Sequence, residues 1–353
     1  LPTVDSVKAD RERLLLALKE SFGLKRLSMD PMILQKLPKT LRSTEKGITA
    51  IIRDRREIID TQIEDPLNLA GIAFDIGTTT IVGYLMDLIT GEKLSVQSGM
   101  NPQIPYGDDV ISRISFCQEE PQGLKKVRSL MVQSLNTLID EAASEAGIAP
   151  DQIMEMTVVG NTAMHHLFMG LDPQYLAMSP YPPVLTEAQD IKARDLGIQI
   201  GASAYVHLLP LKAGFVGSDA IAGILATGLH RQKETILFVG LGTNGEIVLG
   251  NKNRLLCCST AAGPAFEGGH IRFGMRAASG AIERVKIHPN RYDVTVKTIH
   301  NQRPAGVCGS GIISAIAEMI RAGIIMSKGN FNEDIQSSRL RQGEDGWEFV
   351  LVW

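Results

Sequence analysis

The sequence predicts an α/β protein with two lobes built on mixed sheets, preceded by a small α+β linker domain. Strand and helix patterns alternate from residue 69 onward, which is typical of α/β architecture. A strand, a Gly-Thr bend and a second strand occur twice, 165 residues apart. The first 68 residues lack this alternation. We therefore assign residues 1–68 to the linker domain, 69–231 to the first lobe and 232–353 to the second.

The composition indicates an ordinary globular protein. The net charge is −3, 44% of the residues are hydrophobic and 21% are charged. Since there is no basic surplus and no run of Lys and Arg, we expect no nucleic-acid partner. The apolar stretches, such as AIAGILATGL, are shorter than the ~20 residues that cross a bilayer, and the N-terminus lacks a signal-peptide pattern. We expect a cytoplasmic protein with no membrane contact.

The four cysteines do not have the spacing of an iron–sulfur site. They contain no C-x-x-C pair and no C-x4-C-x2-C run, so we expect no cluster in this chain. Cys257 and Cys258 are adjacent in the predicted strand RLLCCST, where free thiols are usually buried.

The linker and first lobe show clear local patterns. DSVKADRERLLLALKESFGL predicts a helix that ends at Gly23, and GITAIIRDRREIIDTQ predicts a hairpin around Asp54 and Arg55. In the lobe, GLKKVRSLMVQSLNTLIDEAASEAG predicts an amphipathic helix. On another predicted helix, His165 and His166 are neighbours that point to different faces. We therefore expect packing or capping rather than metal binding.

Small hydroxyl and amide residues are concentrated at the two bends. The first reads DIGTTT from Asp75, and a shift of 165 positions lays Gly77 on Gly242 and Asp75 on Gly240. Glycine lets the backbone approach a phosphate, and Thr and Asn supply short donors. Two bends facing one cleft would clamp a polyphosphate, and each lobe is expected to carry a mixed sheet of about five strands. The candidate phosphate ligands are Gly77, Thr78, Thr79, Thr80, Gly242, Thr243 and Asn244.

Asp75 is the candidate ligand for Mg²⁺ and a candidate catalytic residue, because Mg²⁺ prefers a few carboxylate oxygens together with phosphates. The alternative is an Asx turn in which Asp75 bonds only its own backbone.

Two further glycine-rich stretches in the second lobe each lead toward a helix, whose N-terminus suits an anion. From AAGPAFEGGHIRFG we take Gly263 as a nucleotide ligand and Glu267 as a catalytic candidate, with a solvated loop carboxylate as the alternative for Glu267. From VCGSGIISAIAEMI we take Gly309 and Ser310, with a helix N-cap as the alternative for Ser310.

With these motifs in order, the chain resembles the acetate kinase, sugar kinase, chaperone and actin superfamily of two-lobed ATPases, and within it the reductive activators of corrinoid proteins. The resemblance covers most of residues 70–325. It rests on the two bends and on NPQIPYGDDVISRI, VVGNTAMHHLFMG, GFVGSDAIAGIL and VCGSGIISAIAEMIRAGI.

The resemblance implies an actin-like fold and an enzyme that uses ATP and Mg²⁺ to drive one-electron reduction of cobalt(II) to cobalt(I). The cobalt belongs to a partner corrinoid protein or corrinoid iron–sulfur protein, and cobalt(I) is the nucleophile for methyl transfer. A low-potential donor supplies the electron. A two-iron two-sulfur cluster is expected in a ferredoxin-like domain of the full-length protein, not in this chain. Homodimer formation stays open.

The second bend departs from the family pattern, which resembles D-I-G-T-N-G-E, because Gly240 stands where an aspartate is expected. This places hydrolysis in question more than binding. Two alternatives remain: a small-molecule kinase of the same superfamily, and a docking module that changes shape when it binds a nucleotide.

Overall fold

The computed structural model describes residues 7–44, 47–63, 69–242, 244–261, 271–343 and 346–353. The candidates Thr243, Gly263 and Glu267 lie outside the described residues. The chain divides into two compact units. The first comprises Leu1–Ile236 and Gly250–Leu255, and the second Leu237–Leu249 and Leu256–Trp353.

The N-terminal part of the first unit is a small α+β layer. As expected, its first helix ends at Gly23 in the left-handed region, and its hairpin turns at Asp54 and Arg55, both with positive φ. Its three strands pair in the order β1-β3-β2. Leu14, Leu18, Ile33, Leu37, Ile58 and their neighbours form its core. The elements are α1 (Asp10–Phe22), β1 (Ser28–Met29), α2 (Pro31–Arg42), β2 (Thr49–Arg53) and β3 (Glu57–Gln62).

The rest of the first unit surrounds one mixed sheet. The strands are β4 (Ala70–Ile76), β5 (Thr80–Asp87), β6 (Lys93–Met100), β7 (Ile153–Gly160), β8 (Gln189–Lys192) and β9 (Tyr205–Leu208). The helices are α3 (Val110–Glu119), α4 (Gly123–Ala146), α5 (Thr162–Met169), α6 (Ala193–Leu196) and α7 (Ser218–Thr227). The strand order is β6-β5-β4-β7-β9-β8. The expected five strands are therefore wrong for this sheet, because β8 adds a sixth, antiparallel edge strand to β9.

Helix α4 covers part of this sheet with the predicted apolar face. Val127, Met131, Leu135 and Ile139 are fully buried in the main core, and α4 packs on β5 and β6. Each such side chain contributes about 1.5–3 kcal/mol when it leaves water. The helix thus holds β5, the strand that leads out of the first bend, together with its neighbour β6.

Parallel strands at the centre of the sheet create one functional edge. β7 runs parallel to both β4 and β9, so the carboxyl ends of these strands lie together, with Ile76 paired to Gly160. The start of α7 closes on this edge. A Cβ on Gly217 would lie 2.5 Å from the Cα of Asn161, so only glycine fits there. In α/β sheets, ligands bind at such carboxyl ends.

An ionic network fastens the linker hairpin to the sheet. Arg53 of β2 pairs with Glu155 of β7 at 3.1 Å and with Asp190 of β8 at 2.6 Å. Lys192 pairs with Asp30 and with Glu57, each at 3.0 Å. The linker is therefore held against β7, β8 and β9 by charges as well as by apolar contacts.

The elements from residue 236 onward form smaller sheets than the predicted five-stranded one. The strands group as β10-β11-β12, β14-β13-β15 and β16-β17 among the described residues. Helix α8 packs on β13 around Ile282, Val285, Ala315 and Ile324. The elements are β10 (Ile236–Leu241), β11 (Asn244–Asn251), β12 (Arg254–Ala261), β13 (Ala281–Ile287), β14 (Val294–Thr298), β15 (Gly306–Val307), α8 (Gly309–Arg321), β16 (Leu340–Gly343) and β17 (Gly346–Phe349).

The expectation that Cys257 and Cys258 are buried is wrong, since both are exposed. They are consecutive residues of β12, an outer strand of its sheet, and consecutive side chains of a strand point to opposite faces. The described residues therefore cover neither face of the sheet at this point. Cys308 is buried and Cys117 half-buried.

Among the described helices, none combines the length and the apolar character that crossing a bilayer requires.

Candidate functional site

The first bend is closed by its glycine. The N–H of Gly77 donates to the carbonyl of Thr80 at 2.9 Å. A Cβ on Gly77 would lie 2.6 Å from that carbonyl oxygen. Any other residue would therefore push the two strands apart, which explains the glycine at this position.

Three consecutive carbonyls of the bend are held by the protein behind it. Asn101 donates from its side chain to Gly77 and from its N–H to Thr79, both at 2.8 Å. Arg113 Nη2 donates to the Thr78 carbonyl at 2.9 Å. Across a trans peptide the C=O and the following N–H point in opposite directions. The N–H groups that follow these carbonyls are thus turned away from the anchoring side chains, an arrangement that suits an anion.

The three threonines of the bend are not equivalent. Thr78 is buried, with 4% of its surface exposed, and its hydroxyl accepts from the side chain of Asn161 at 2.9 Å. Asn161 also caps α5 by accepting from the N–H of Met164 at 3.0 Å. Thr79 is half-buried and Thr80 is exposed. Thr78 therefore connects the bend to the start of α5, whereas Thr80 is the exposed threonine of the three.

Asp75 lies at the exposed position near the carboxyl end of β4. Within the described parts of the chain no donor forms a hydrogen bond to its carboxylate, so the Asx-turn alternative does not hold. Loss of water to the surrounding protein, and then the negative charge of Asp219, raise the pKa of Asp75 to about 6. The carboxylate is reachable from solvent and is unsatisfied by the described protein.

Asp219 is a site residue that the sequence did not reveal. It is the second residue of α7, accepts from the N–H of Ala220 at 2.8 Å, and lies near enough to Asp75 to raise its pKa. Burial raises the pKa of Asp219 itself. The two aspartates are 144 positions apart, and only the parallel pairing of β4, β7 and β9 brings them together. The sequence did contain one indication of Asp219, the tripeptide GSD at residues 217–219, which stands at the start of a predicted helix that follows a strand.

The donor set fits Mg²⁺ bound together with phosphates. Within the described residues no group of three or more His, Cys, Asp and Glu side chains could hold a metal ion by itself. Mg²⁺ is usually held by one or two carboxylates plus substrate phosphates. Asp75 and Asp219 are two neighbouring carboxylates next to the first bend, and this donor set fits that kind of coordination.

At the second bend the N–H of Gly242 donates to the carbonyl of Asn244 at 3.0 Å. Gly240 does not have a left-handed φ, and a Cβ there would lie 3.5 Å from Glu246 Oε2, an ordinary contact. Glu246 is only 9% exposed. An acidic side chain therefore lies beside Gly240, but it comes from β11.

Gly309 and Ser310 begin helix α8 in the second unit. The N-cap is Cys308, and Ser310 is the second helical residue, so the N-cap alternative for Ser310 is wrong. Ser310 is exposed, and its hydroxyl lies 3.3 Å from the Sγ of Cys308. A role of Gly309 and Ser310 in nucleotide binding stays a prediction.

His165 and His166 pack as expected. Both are buried, and His166 uses its ring nitrogens for the carbonyl of Thr162 and the N–H of Val184. Burial lowers the pKa of His165 to about 4, which keeps this side chain neutral.

The acidic pair and the Gly-Thr bend at the carboxyl ends of β4 and β7 define the ASKHA, or actin-like, class of ATPase folds. Residues 234–353 match the model of the C-terminal ASKHA domain of RACo, residues 70–232 the RACo middle region, and residues 1–66 the RACo linker region. The chain belongs to the RACo family.

Similar proteins agree with this assignment. The chain is 41% identical over 261 residues to the corrinoid activation enzyme RamQ of Eubacterium limosum, which covers 74% of this chain and 43% of that protein. It is 26% identical over 284 residues to the Co(II) methylated amine-specific corrinoid protein reductase of Methanosarcina barkeri, covering 72% and 51%. A solved reductive activator for corrinoid, iron–sulfur protein superposes with a TM-score of 0.87 at 38% identity, covering 100% of this chain and 57% of that one. The chain spans about half the length of the curated relatives it matches.

Proposed function

We propose that this chain is the ATP-using part of a protein that reductively activates a corrinoid protein. The observation that carries the proposal is the Asp75 carboxylate, which receives no hydrogen bond from the described protein and lies near Asp219, next to the Gly-Thr bend at residues 77–80. The names of the relatives support the corrinoid protein as the partner and cobalt(II) as the electron acceptor.

In this proposal the first bend binds phosphates through the backbone N–H groups of Thr78, Thr79 and Thr80 and through the Thr80 hydroxyl. Gly242, Thr243 and Asn244 of the second bend are proposed as further phosphate ligands. Asp75 holds Mg²⁺, with Asp219 beside it. Bound Mg²⁺ would neutralise charge on the phosphates. Mg²⁺ binding requires the ionised form of Asp75, so the affinity of the site for Mg²⁺ rises as the pH increases through about 6.

Asp219 accepts the proton of the attacking water in this proposal. The water oxygen bonds to the γ-phosphorus, the bond from that phosphorus to the ADP oxygen breaks, and phosphate and ADP leave. A general base contributes about 10²–10⁴-fold to a rate. The free energy released drives the transfer of one electron from a low-potential donor to cobalt(II), which yields cobalt(I). The two-iron two-sulfur cluster of this pathway is proposed for the full-length protein and not for this chain.

The acidic pair also favours a second candidate, a small-molecule kinase, since Asp219 would equally deprotonate a hydroxyl acceptor. The two candidates differ in what receives the phosphoryl group: water in the activator, a small molecule in the kinase.

One experiment separates them. ATP hydrolysis by the full-length protein is measured alone, with a cobalt(II) corrinoid protein and donor, and with a panel of sugars and carboxylic acids, while cobalt(I) is followed by its absorbance. We expect the corrinoid protein to accelerate hydrolysis and cobalt(I) to accumulate only with ATP, and Asp219→Asn to lower both rates at least about 100-fold. A phosphorylated small acceptor, or hydrolysis that ignores the corrinoid protein, would contradict the proposal.

A further inference from the structure

Among the described residues, Arg113 is the largest side chain that is completely buried, with 0% of its surface exposed. Its guanidinium donates to the carbonyls of Thr78 and Gly107, each at 2.9 Å, and to Gln103 Oε1 at 3.1 Å. The Sδ of Met164 lies 3.3 Å from Nη1. None of these partners is a carboxylate, and in the described chain Arg113 forms no ion pair.

The segment from Asn101 to Asp109 is shaped around this guanidinium. Gly107 has a φ of 147°, and a Cβ on it would lie 2.4 Å from the N of Arg113, so the loop can close over α3 only with glycine here. Asp109 caps α3 in a reciprocal capping box. The same segment supplies Asn101, which holds the carbonyls of Gly77 and Thr79. This is the motif NPQIPYGDDVISRI, for which the sequence suggested no role.

Burial of an arginine without a carboxylate is unfavourable. Loss of water lowers the pKa of Arg113 to about 10, although the charges of Asp109 and Asp108 oppose the change. The side chain is therefore still charged at neutral pH. A positive charge that the described protein does not pair favours an anion nearby. One of its hydrogen bonds ends on the bend that faces the proposed phosphate site.

We propose that Arg113 is a positioning residue for the nucleotide phosphates. It holds the Thr78 carbonyl from the inner side of the bend, and its fixed charge attracts the polyphosphate on the outer side. This inference rests on the proposed function, because it assumes that the bend binds phosphates. The charge acts more strongly on ATP than on AMP, since ATP carries the longer phosphate chain.

Arg128 provides a matched control. It is a half-buried arginine of the first unit that, like Arg113, donates to two backbone carbonyls, those of Phe168 at 3.0 Å and Leu196 at 3.1 Å. None of its hydrogen bonds reaches the bend. Arg128→Met therefore reproduces the loss of a cation that holds two backbone carbonyls, at a place away from the bend.

The experiment measures dissociation constants for ATP, ADP and AMP with Mg²⁺ by calorimetry, together with Tm, on the full-length protein. We expect Arg113→Met and Arg113→Gln to lower the preference for ATP over AMP at least about tenfold, and Arg113→Lys to restore most of it. Arg128→Met should lower Tm and leave that preference unchanged. Arg113→Gln keeps an amide donor for the Thr78 carbonyl, so it reports on the charge if Arg113→Met does not fold.

Two results would overturn the inference separately from the proposed function. If the wild type prefers ATP and the neutral Arg113 variants keep that preference, Arg113 is only structural. Arg113 is likewise only structural if Arg113→Lys shows the same lowered preference for ATP over AMP as Arg113→Gln. If the wild type binds no nucleotide, the proposed function fails and this inference fails with it.

Discussion

At the scale of single residues, Asp75 and Asp87 lie at opposite ends of one hairpin, and their pKa values are shifted in opposite directions. Asp75 has no hydrogen-bond donor among the described residues, and desolvation and Asp219 raise its pKa to about 6. Asp87, at the other end of the same hairpin, accepts from the N–H groups of Thr90 at 3.0 Å and Ile89 at 2.7 Å, and these bonds lower its pKa. Asp87 is therefore part of a turn, and Asp75 carries a charge that the fold disfavours.

This difference predicts opposite pH effects on stability. The folded protein binds the Asp75 proton more tightly than the unfolded chain, so ionisation of Asp75 costs stability as pH rises from about 4 to about 6. Asp75→Asn should raise Tm at pH 7.5 and leave it unchanged at pH 3.8. Asp87→Asn should lower Tm at pH 7.5, because the lowered pKa of Asp87 contributes stability above its unfolded value. Thermal unfolding of both variants from pH 3.8 to 8 checks this. Equal shifts of the same sign would show that the Asp75 environment is described wrongly.

Gly240 stands where the family pattern has an aspartate, so its replacement tests whether a missing carboxylate limits ATP hydrolysis. Its φ is outside the left-handed region and a Cβ meets only ordinary contacts, so the backbone does not require glycine. We expect Gly240→Asp in the full-length protein to raise ATP hydrolysis at least about tenfold with a few-fold change in nucleotide affinity.

The counterargument is repulsion from the buried Glu246 beside it. Gly240→Asn is the control, since it adds the same volume without the charge. A lower Tm with no gain in rate for Gly240→Asp would reject the idea that a carboxylate is missing here.

At the scale of elements, the sequence predicted local patterns well and long-range pairings poorly. The face of α4 and the hairpin at Asp54 follow from periodicity and turn chemistry, which act within a few residues. Helix α2 was not predicted, because Pro38 lies inside it, although Asp30 caps its start. Strand β8 was not predicted, because it has only four residues and forms by pairing with β9, which the local sequence does not show. The electrostatic effect of Asp219 on Asp75 likewise depends on distant strands, because the parallel pairing of β4, β7 and β9 brings the two residues close together.

The linker hairpin offers a prediction at this scale. Arg53 is the shared partner of Glu155 and Asp190, and its guanidinium lies 4.3 Å from the centre of the Tyr205 ring. Arg53→Met leaves Glu155 without its cation and leaves Asp190 only its contact with His207, so we expect a loss of about 2 kcal/mol in the free energy of unfolding. Arg55→Met, at the exposed tip of the same hairpin, is the control and should change little. Urea denaturation measures both. Equal stability of the two variants would mean that the network does not hold the linker.

At the scale of the whole molecule, the ordered set of motifs predicted the family, and the family models match residues 1–66, 70–232 and 234–353. The exposure of Cys257 and Cys258 could not be predicted from the sequence, because a strand of apolar residues does not show whether other elements cover its two faces. Roles for Gly309, Ser310 and the residues of the second bend remain predictions.

The proposed reaction assigns ATP use to residues 1–353 and the two-iron cluster to the full-length protein, and this leads to a prediction. The four cysteines lack the spacing of a two-iron cluster, so this chain should bind a corrinoid protein without reducing it. With ATP, Mg²⁺ and a low-potential donor, the cobalt(II) spectrum should stay unchanged, and it should change with the full-length protein as the control. A cobalt(I) band that forms faster with this chain than without protein would contradict the prediction.

The central claim is that Asp75 and the first bend form a magnesium-dependent ATP site. The most direct measurement is the dissociation constant of ATP with and without Mg²⁺, by calorimetry at pH 7.5, for the full-length protein, Asp75→Asn and the control Asp87→Asn. We expect Mg²⁺ to tighten ATP binding to the wild type and to Asp87→Asn alike, and Asp75→Asn to weaken binding at least about tenfold and lose the Mg²⁺ effect. Unchanged, magnesium-dependent ATP binding by Asp75→Asn would contradict the account.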